Sequence, residues 1–283
     1  MAESIAGYSL LRVLERWGEE EFLQAHQASM HRDVLLRVLR TEHPERADAF
    51  LEVARRLAAI DHPAVARVHE AGREGAAVYC SMEYPGEETL ERLLATNGRL
   101  EPARAVAIAR DVLEALEQVA ARGLVHGALR PRVIFLAGER AKVAGFGSVL
   151  PAAVMLLADA VQFLSPEHVS AGRLDTRSDI YSLGMILYRA LSGRLPYRDI
   201  DPRSVMRRQV EEMPRPLGEL APDLPAALSA AVEKAVQKDP RLRFQEPAEM
   251  RRALQKALDA APEKPSAPAR RPPRSSRRRS RRR

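Results

Sequence analysis

The feature that most constrains this chain is a change of hydrophobic period at Pro85-Gly86. Before it, GYSLLRVL (7–14), EFLQAHQ (21–27) and DVLLRVLR (33–40) read as strands with turn or loop signals between them. AVARVHEAG and AAVYCSMEY add two more, joined at Gly72 to Gly75. A single helix is predicted among them. PERADAFLEVARRLAAI (44–60) opens with Pro44 near its first turn and sets Phe50, Val53, Ala54, Leu57 and Ile60 on one face. After Pro85-Gly86 the period is helical, over 88–96, 101–121, 177–193, 202–212, 225–238 and 246–259. The second of these places Ile108, Val112, Leu116 and Val119 at helical spacing. VIFL (133–136) and AKVAGF (141–146) read as a short hairpin. No internal repeat is found. The order predicts an α+β chain of two lobes, a small β-rich one with one helix over 8–84 and a larger helical one over 85–260.

Composition limits what those lobes can be. At 283 residues, 46% hydrophobic and 29% charged, the chain is long enough and apolar enough for a buried core. One cysteine, Cys80, excludes an internal disulfide framework and is expected to be a buried small hydrophobe. No apolar run reaches the ~20 residues of a membrane span. AAVMLLADAVQFL, from Ala152, is broken by Asp159 and Gln162. The N-terminus lacks the basic-then-apolar order of a secretory signal, so a cytoplasmic location is expected. The net charge of +7 is unevenly placed. PEKPSAPARRPPRSSRRRSRRR (262–283) carries +9 and the other 261 residues −2. This Arg/Ser/Pro-rich tail has no large apolar residue and is expected to be disordered. Any weak binding of nucleic acid or an acidic partner is expected there, with steep salt dependence.

GLVHGALRPRVIFLAGERAKVAGFG (123–147) resembles the catalytic and metal-binding loops of the eukaryotic-like serine/threonine protein kinases of bacteria. TRSDIYSLGMILYRALSGRLPY (176–197) resembles the central helix of that family's large lobe. SPEHV (165–169) resembles its Ala-Pro-Glu motif, and DPRLRF (239–244) its arginine turn. The resemblance covers roughly residues 8–259 and implies the bilobal protein-kinase-like fold.

An active member of the family would use ATP and magnesium, positioned by a lysine, metal ligands and a proton-accepting aspartate. By resemblance the catalytic base falls on Ala128, the second metal ligand on Val133 and the principal metal ligand on Gly145. None supplies an oxygen for a hard cation. The strand lysine falls on Arg37, the catalytic-loop lysine on Arg130, and the helix glutamate on Val53, with Glu52 about 100° off that face. The phosphate-loop glycines fall on Glu15, Trp17 and Glu20. Glycine lets backbone N–H groups approach phosphate, whereas Glu19, Glu20 and Glu21 would repel it and are expected to form a solvated turn. The two arginines fit a chain in which 40 of 45 basic residues are Arg. The adenine contacts fall on Phe22, Leu35 and Phe135, whose volume is expected to fill the slot. The adjacent hinge is Glu83-Tyr84.

The scaffold positions are kept. The resemblance assigns an apolar spine to Leu57, Val68, His126 and Phe146, a loop anchor to Asp179 and an ion pair to Glu167 and Arg243. Asp175 is expected to cap a helix, and Trp17 to serve a surface or packing role. Between Phe146 and Ser165 the only hydroxyl is Ser148, and Gly127 replaces the arginine beside the catalytic aspartate. Phosphorylation switching of that loop is therefore not expected; its apolar residues are expected to pack in the cleft or face a partner. The pattern is that of a pseudokinase: a signalling scaffold or allosteric partner with no cofactor, binding a protein such as an active kinase. Two alternatives stand beside it. One is a serine/threonine kinase or other nucleotide transferase using Glu52, Arg37, Asp159 or Asp175 in relocated roles. The other is nucleic-acid or acidic-partner binding through the tail.

Overall fold

The computed structural model describes residues 4–147, 161–197 and 201–260. The small lobe is an antiparallel sheet of five long strands with a two-residue strand at one edge. In chain order these are β1 (Ser4–Ile5), β2 (Tyr8–Trp17), β3 (Glu20–Gln27), β4 (Arg32–Arg40), β5 (Val68–Glu74) and β6 (Ala77–Glu83), and in space β1-β2-β3-β4-β6-β5. The sheet is covered on both faces, which is why β4 is apolar on both sides of its strand apart from Arg37. Val34, Leu36 and Val38 point into a minor core with Ile5, Tyr8, Leu23 and Tyr79. Leu35 and Leu39 point into the main core with helix α1 (Pro44–Ala58) and the large lobe. α1 packs on β5 and β6 through Phe50, Ala54 and Leu57.

The large lobe begins at α2 (Leu90–Asn97), whose first turn is capped by the Thr89 hydroxyl accepting the Arg92 N–H at 3.3 Å. α3 (Pro102–Ala120) buries Ile108, Val112, Leu116 and Val119 along one face, as the spacing predicts. A hairpin of β7 (Ile134–Ala137) and β8 (Arg140–Val143) lies between the lobes. The helix Thr176–Ser192 is buried from Ser178 to Tyr188 without interruption, the mark of a central helix. Asp175 and Ser178 form a capping box at its start, and Gly193 ends it at φ 69°. Around it stand helices Pro202–Glu211, Ala226–Ala235 and Pro247–Asp259. The helix predicted to reach 238 stops at Ala235, and Pro240, which disfavours helical geometry at Asp239, opens a separate short turn. Strand β1 and the one-turn helices Pro166–Val169 and Leu217–Leu220 are too short for a periodic signal and were not predicted.

This is the bilobal protein-kinase-like fold, a β-rich lobe with one helix above a helical lobe. No helix among the described residues is long and apolar enough to cross a membrane. The tail 262–283, Ser148, Asp159 and the side chain of Trp17 lie outside the described residues. The end of the loop is described: Val161, Phe163 and Leu164 are buried in the main core.

Candidate functional site in the interlobe cleft

Strand register builds the cleft roof. Directly opposed residues of antiparallel strands share a face. Glu15 of β2 faces Phe22 of β3, Phe22 faces Arg37 of β4, and Arg37 faces Cys80 of β6. Glu20, two residues before Phe22, is on the same face and diagonal to Arg37, within reach of a long side chain.

That geometry brings together residues the sequence reading treated separately. Glu20 forms a two-pronged ion pair with Arg37, one prong at 3.1 Å. Arg37 also donates to the Phe146 carbonyl at 2.9 Å and lies 4.8 Å from the Phe50 ring centroid. Glu15 pairs with Arg130 of the catalytic-type loop, and with Arg132 at 3.3 Å. The side chains of Glu15 and Glu20 are only 10% and 12% exposed. The expectation of a solvated acidic turn is therefore corrected: Glu20 is inside, while Glu19 pairs with Arg46 and Glu21 with Arg16 and Arg40. The arginines at 37 and 130 are likewise more than compositional bias. Each is matched by a glutamate where a phosphate loop would carry glycine. The hairpin register, set by the short turn at 28–31, is the signal that pairs Glu20 with Arg37. The pairing of Glu15 with Arg130 has no local signal.

The metal positions are apolar. A side chain on Gly145 would meet the Phe22 ring at 3.5 Å and Val133 Cγ1 at 3.8 Å. Gly147 is closed against Val53, whose Cγ1 occupies the space a Cβ would need. Val53 packs on the core, and Glu52 is out on the exposed face with Arg55 and Arg56. Ala128 is buried. Among the described residues no group of three His, Cys, Asp or Glu side chains is placed to hold a metal ion. Magnesium and a triphosphate therefore do not fit these residues: carbon lines the cation positions and carboxylates hold the cationic side chains.

The adenine-side expectation is corrected too. Phe22, Leu35 and Phe135 do not fill the slot; with Leu14, Tyr84 and Val133 they line a cavity of about 370 Å³. Phe22 leans toward Gly145, and Phe135 stands edge-on to Tyr84 with ring centroids 6.5 Å apart, so the added volume is spent on the walls. At the hinge, both Glu83 carboxylate oxygens accept from Lys142 at 2.6 Å.

Beneath the cavity, Leu57 of α1, Val68 of β5 and Phe146 border one narrow gap of about 10 Å³, and the Phe146 ring lies 4.9 Å from that of His126. His126 is fully buried. Its Nε2 lies 3.1 Å from the Ala144 carbonyl, and its Nδ1 accepts the Ala128 N–H at 3.2 Å. Burial pushes its pKa down to about 3, so the ring is neutral. Asp179 accepts the N–H groups of His126 at 2.7 Å and Gly127 at 3.0 Å, while burial, opposing those bonds, pushes its carboxyl up to about 7. Glu167 and Arg243 form a bidentate pair at 2.7 and 2.9 Å. Burial pushes the Glu167 carboxyl up, but Arg243 and the Ser178 hydroxyl outweigh it and hold it low. Asp175 is engaged as a helix cap and by Arg177.

Comparison with known proteins agrees with this architecture. A protein kinase domain model matches residues 23–258. The serine/threonine-protein kinase PknB of Mycobacterium tuberculosis is 34% identical over 279 residues, covering 92% of this chain and 44% of PknB. The serine/threonine-protein kinase pkn2 of Myxococcus xanthus is 33% identical, covering 89% of this chain and 32% of its own length. A probable serine/threonine-protein kinase of Streptomyces coelicolor is 31% identical, covering 90% and 40%. The chain thus spans less than half the length of these relatives. With the lobes, the hairpin and the Glu167–Arg243 pair in place, the chain belongs to the protein kinase domain family, and it is similar to part of proteins named bacterial serine/threonine-protein kinases.

Proposed function

We propose that this chain is a kinase-fold domain that does not transfer phosphate, and that it works in bacterial signalling as a scaffold or allosteric partner of another protein, for which an active kinase is the first candidate. One observation carries the reading. The side chains at the two lysine-type positions, Arg37 and Arg130, are held by Glu20 and Glu15 from the very loop that would otherwise cradle phosphate. Phosphoryl transfer depends almost wholly on positioning and charge stabilisation, so a cleft whose cations are already neutralised retains little of that chemistry. Loss of one acid–base group alone costs about 10²–10⁴ in rate, and Ala128 stands where that group would be.

A second reading, favoured by relatives that are named kinases, is phosphoryl transfer by unconventional residues. Incubating the full chain with γ-labelled ATP in magnesium and in manganese separates the two. The proposal expects no incorporation above a protein-free control. Robust incorporation that Arg37→Ala abolishes supports the kinase reading instead. The tail 262–283, at +9, remains a proposed contact for a polyanion, and its deletion should abolish any nucleic-acid retention at physiological salt.

A further inference from the structure

The large lobe carries a smaller cavity of about 240 Å³ that shares no residue with the one between the lobes. It lies where three stretches of chain meet: the end of the central helix with the turn after it, the end of helix Pro202–Glu211, and the segment 212–220. The chain itself fastens these walls. The Tyr188 hydroxyl donates to the Arg215 carbonyl at 2.9 Å, and the Tyr197 hydroxyl to the Glu212 carbonyl. Lys238 Nζ donates to the Tyr197 oxygen at 2.8 Å, and the Ser192 hydroxyl accepts the Arg194 N–H at 3.1 Å. A cavity built this way needs little ordering when it is filled.

Two properties of the lining decide what it takes. The first is exposed carbon. Seven large apolar side chains among the described residues are exposed, and two of them, Leu195 at 37% and Met213 at 46%, meet here with Pro196 and Leu220 in the same lining. Apolar side chains gathered at a concavity mark a contact surface. The second is charge: Arg194, Arg208 and Arg215 stand against Glu212 alone. Glu212 lies 3.5 Å from Arg208 and Glu219 lies 3.2 Å from Arg215, both pairs open to solvent and so weakly held. Arg194 forms no ion pair among the described residues. The chain's own tail does not suit this lining, since residues 262–283 carry +9 and the lining is itself positive. A drug-sized ligand does not suit it either, needing about 300 Å³ or more. An anchoring apolar side chain does.

We infer that this cavity docks an acidic peptide segment of a partner protein, with an apolar side chain seated against Leu195 and Met213 and flanking carboxylates paired with Arg194, Arg208 and Arg215. The inference rests on the reading that the chain works by binding another protein, and extends it by naming the face and the chemistry that face recognises.

Fluorescence anisotropy with the full chain tests it at physiological salt. The probes are the labelled, end-blocked peptide Glu-Asp-Leu-Phe-Asp-Glu and its counterpart Glu-Asp-Ser-Ser-Asp-Glu, equal in charge. The basic tail meets the same charge on both, whereas the cavity distinguishes them. Expected is saturable binding of the first peptide, about tenfold or more tighter than the second. Arg194→Glu and Leu195→Asn, both at exposed positions and so tolerable to the fold, should each weaken the first peptide about tenfold. No saturable binding, equal binding of the two peptides, or an affinity unchanged in either variant overturns the inference. Displacement of the first peptide by a short oligothymidylate also overturns it, assigning the face to nucleic acid. The labelled-ATP assay keeps the two readings apart. Without peptide binding and without transfer, only the docking face falls; transfer removes the inactive-scaffold reading whatever the peptide does.

Discussion

At the residue scale, the loop around His126 couples two groups whose titrations oppose each other. The neutral imidazole accepts the Ala128 N–H through Nδ1, so protonation would set a donor against a donor. Its folded pKa of about 3 lies below the ordinary 6.5, so the unfolded chain takes the proton first. This contribution to stability is complete above pH 6.5 and is lost as pH falls toward 3. Asp179 has the opposite sign. Its folded pKa of about 7 lies above the ordinary 3.8, so its contribution is complete below pH 3.8 and is lost as pH rises to 7. Urea unfolding at pH 4, 5, 6 and 7 reads both. Relative to the unaltered chain, His126→Phe should gain stability as pH falls from 7 to 4, and Asp179→Asn should lose it. Curves parallel to that of the unaltered chain would show that neither group titrates as its burial requires.

At the element scale, the motifs act as ties between distant parts of the large lobe. Arg243 reaches Glu167 and also donates to the carbonyls of Arg177, Gln237 and Lys238, which fastens the Pro166–Val169 turn to the central helix and to the turn at 240–242. Arg243→Ala would leave the Glu167 carboxylate largely buried without its cation, with the Ser178 hydroxyl and a backbone N–H as donors, a change that costs about 3–5 kcal/mol in comparable pairs. The loss is expected as a lowered urea midpoint with an unchanged slope; a shift within about 0.5 kcal/mol would place the pair among surface bridges of little consequence.

Much of this scale was legible in the sequence. The period change at Pro85-Gly86, the DVLLRVLR strand and the 176–192 helix each follow from local pattern, as does the Asp175 cap. What escaped was non-local. Glu20 and Arg37 are adjacent only through the β3–β4 register, and Glu15 and Arg130 only once the lobes close, 115 positions apart. Side-chain volume alone also misjudged the adenine-side slot. Phe22 and Phe135 are large, but their direction, fixed by the sheet and by the β7–β8 hairpin, makes them walls.

At the scale of the whole molecule, the lobes are joined through the cleft by the protein's own charges. Arg37 ties β4 to the loop after β8 through the Phe146 carbonyl, and Glu15 ties β2 to the loop before β7 through Arg130 and Arg132. A two-lobed cleft that binds and releases a charged nucleotide must keep such groups available. Here they are spent on each other, which favours one fixed relation between the lobes. The Glu15 carboxylate and the Arg130 guanidinium form one buried unit across the lobes. A double-mutant cycle of Glu15→Ala and Arg130→Ala, read by urea unfolding, tests it most directly. Expected is a coupling energy of about 2 kcal/mol, each single change being severe and the second adding little to the first. Additivity within about 0.5 kcal/mol would contradict it, because two groups that do not share a buried interaction lose stability independently.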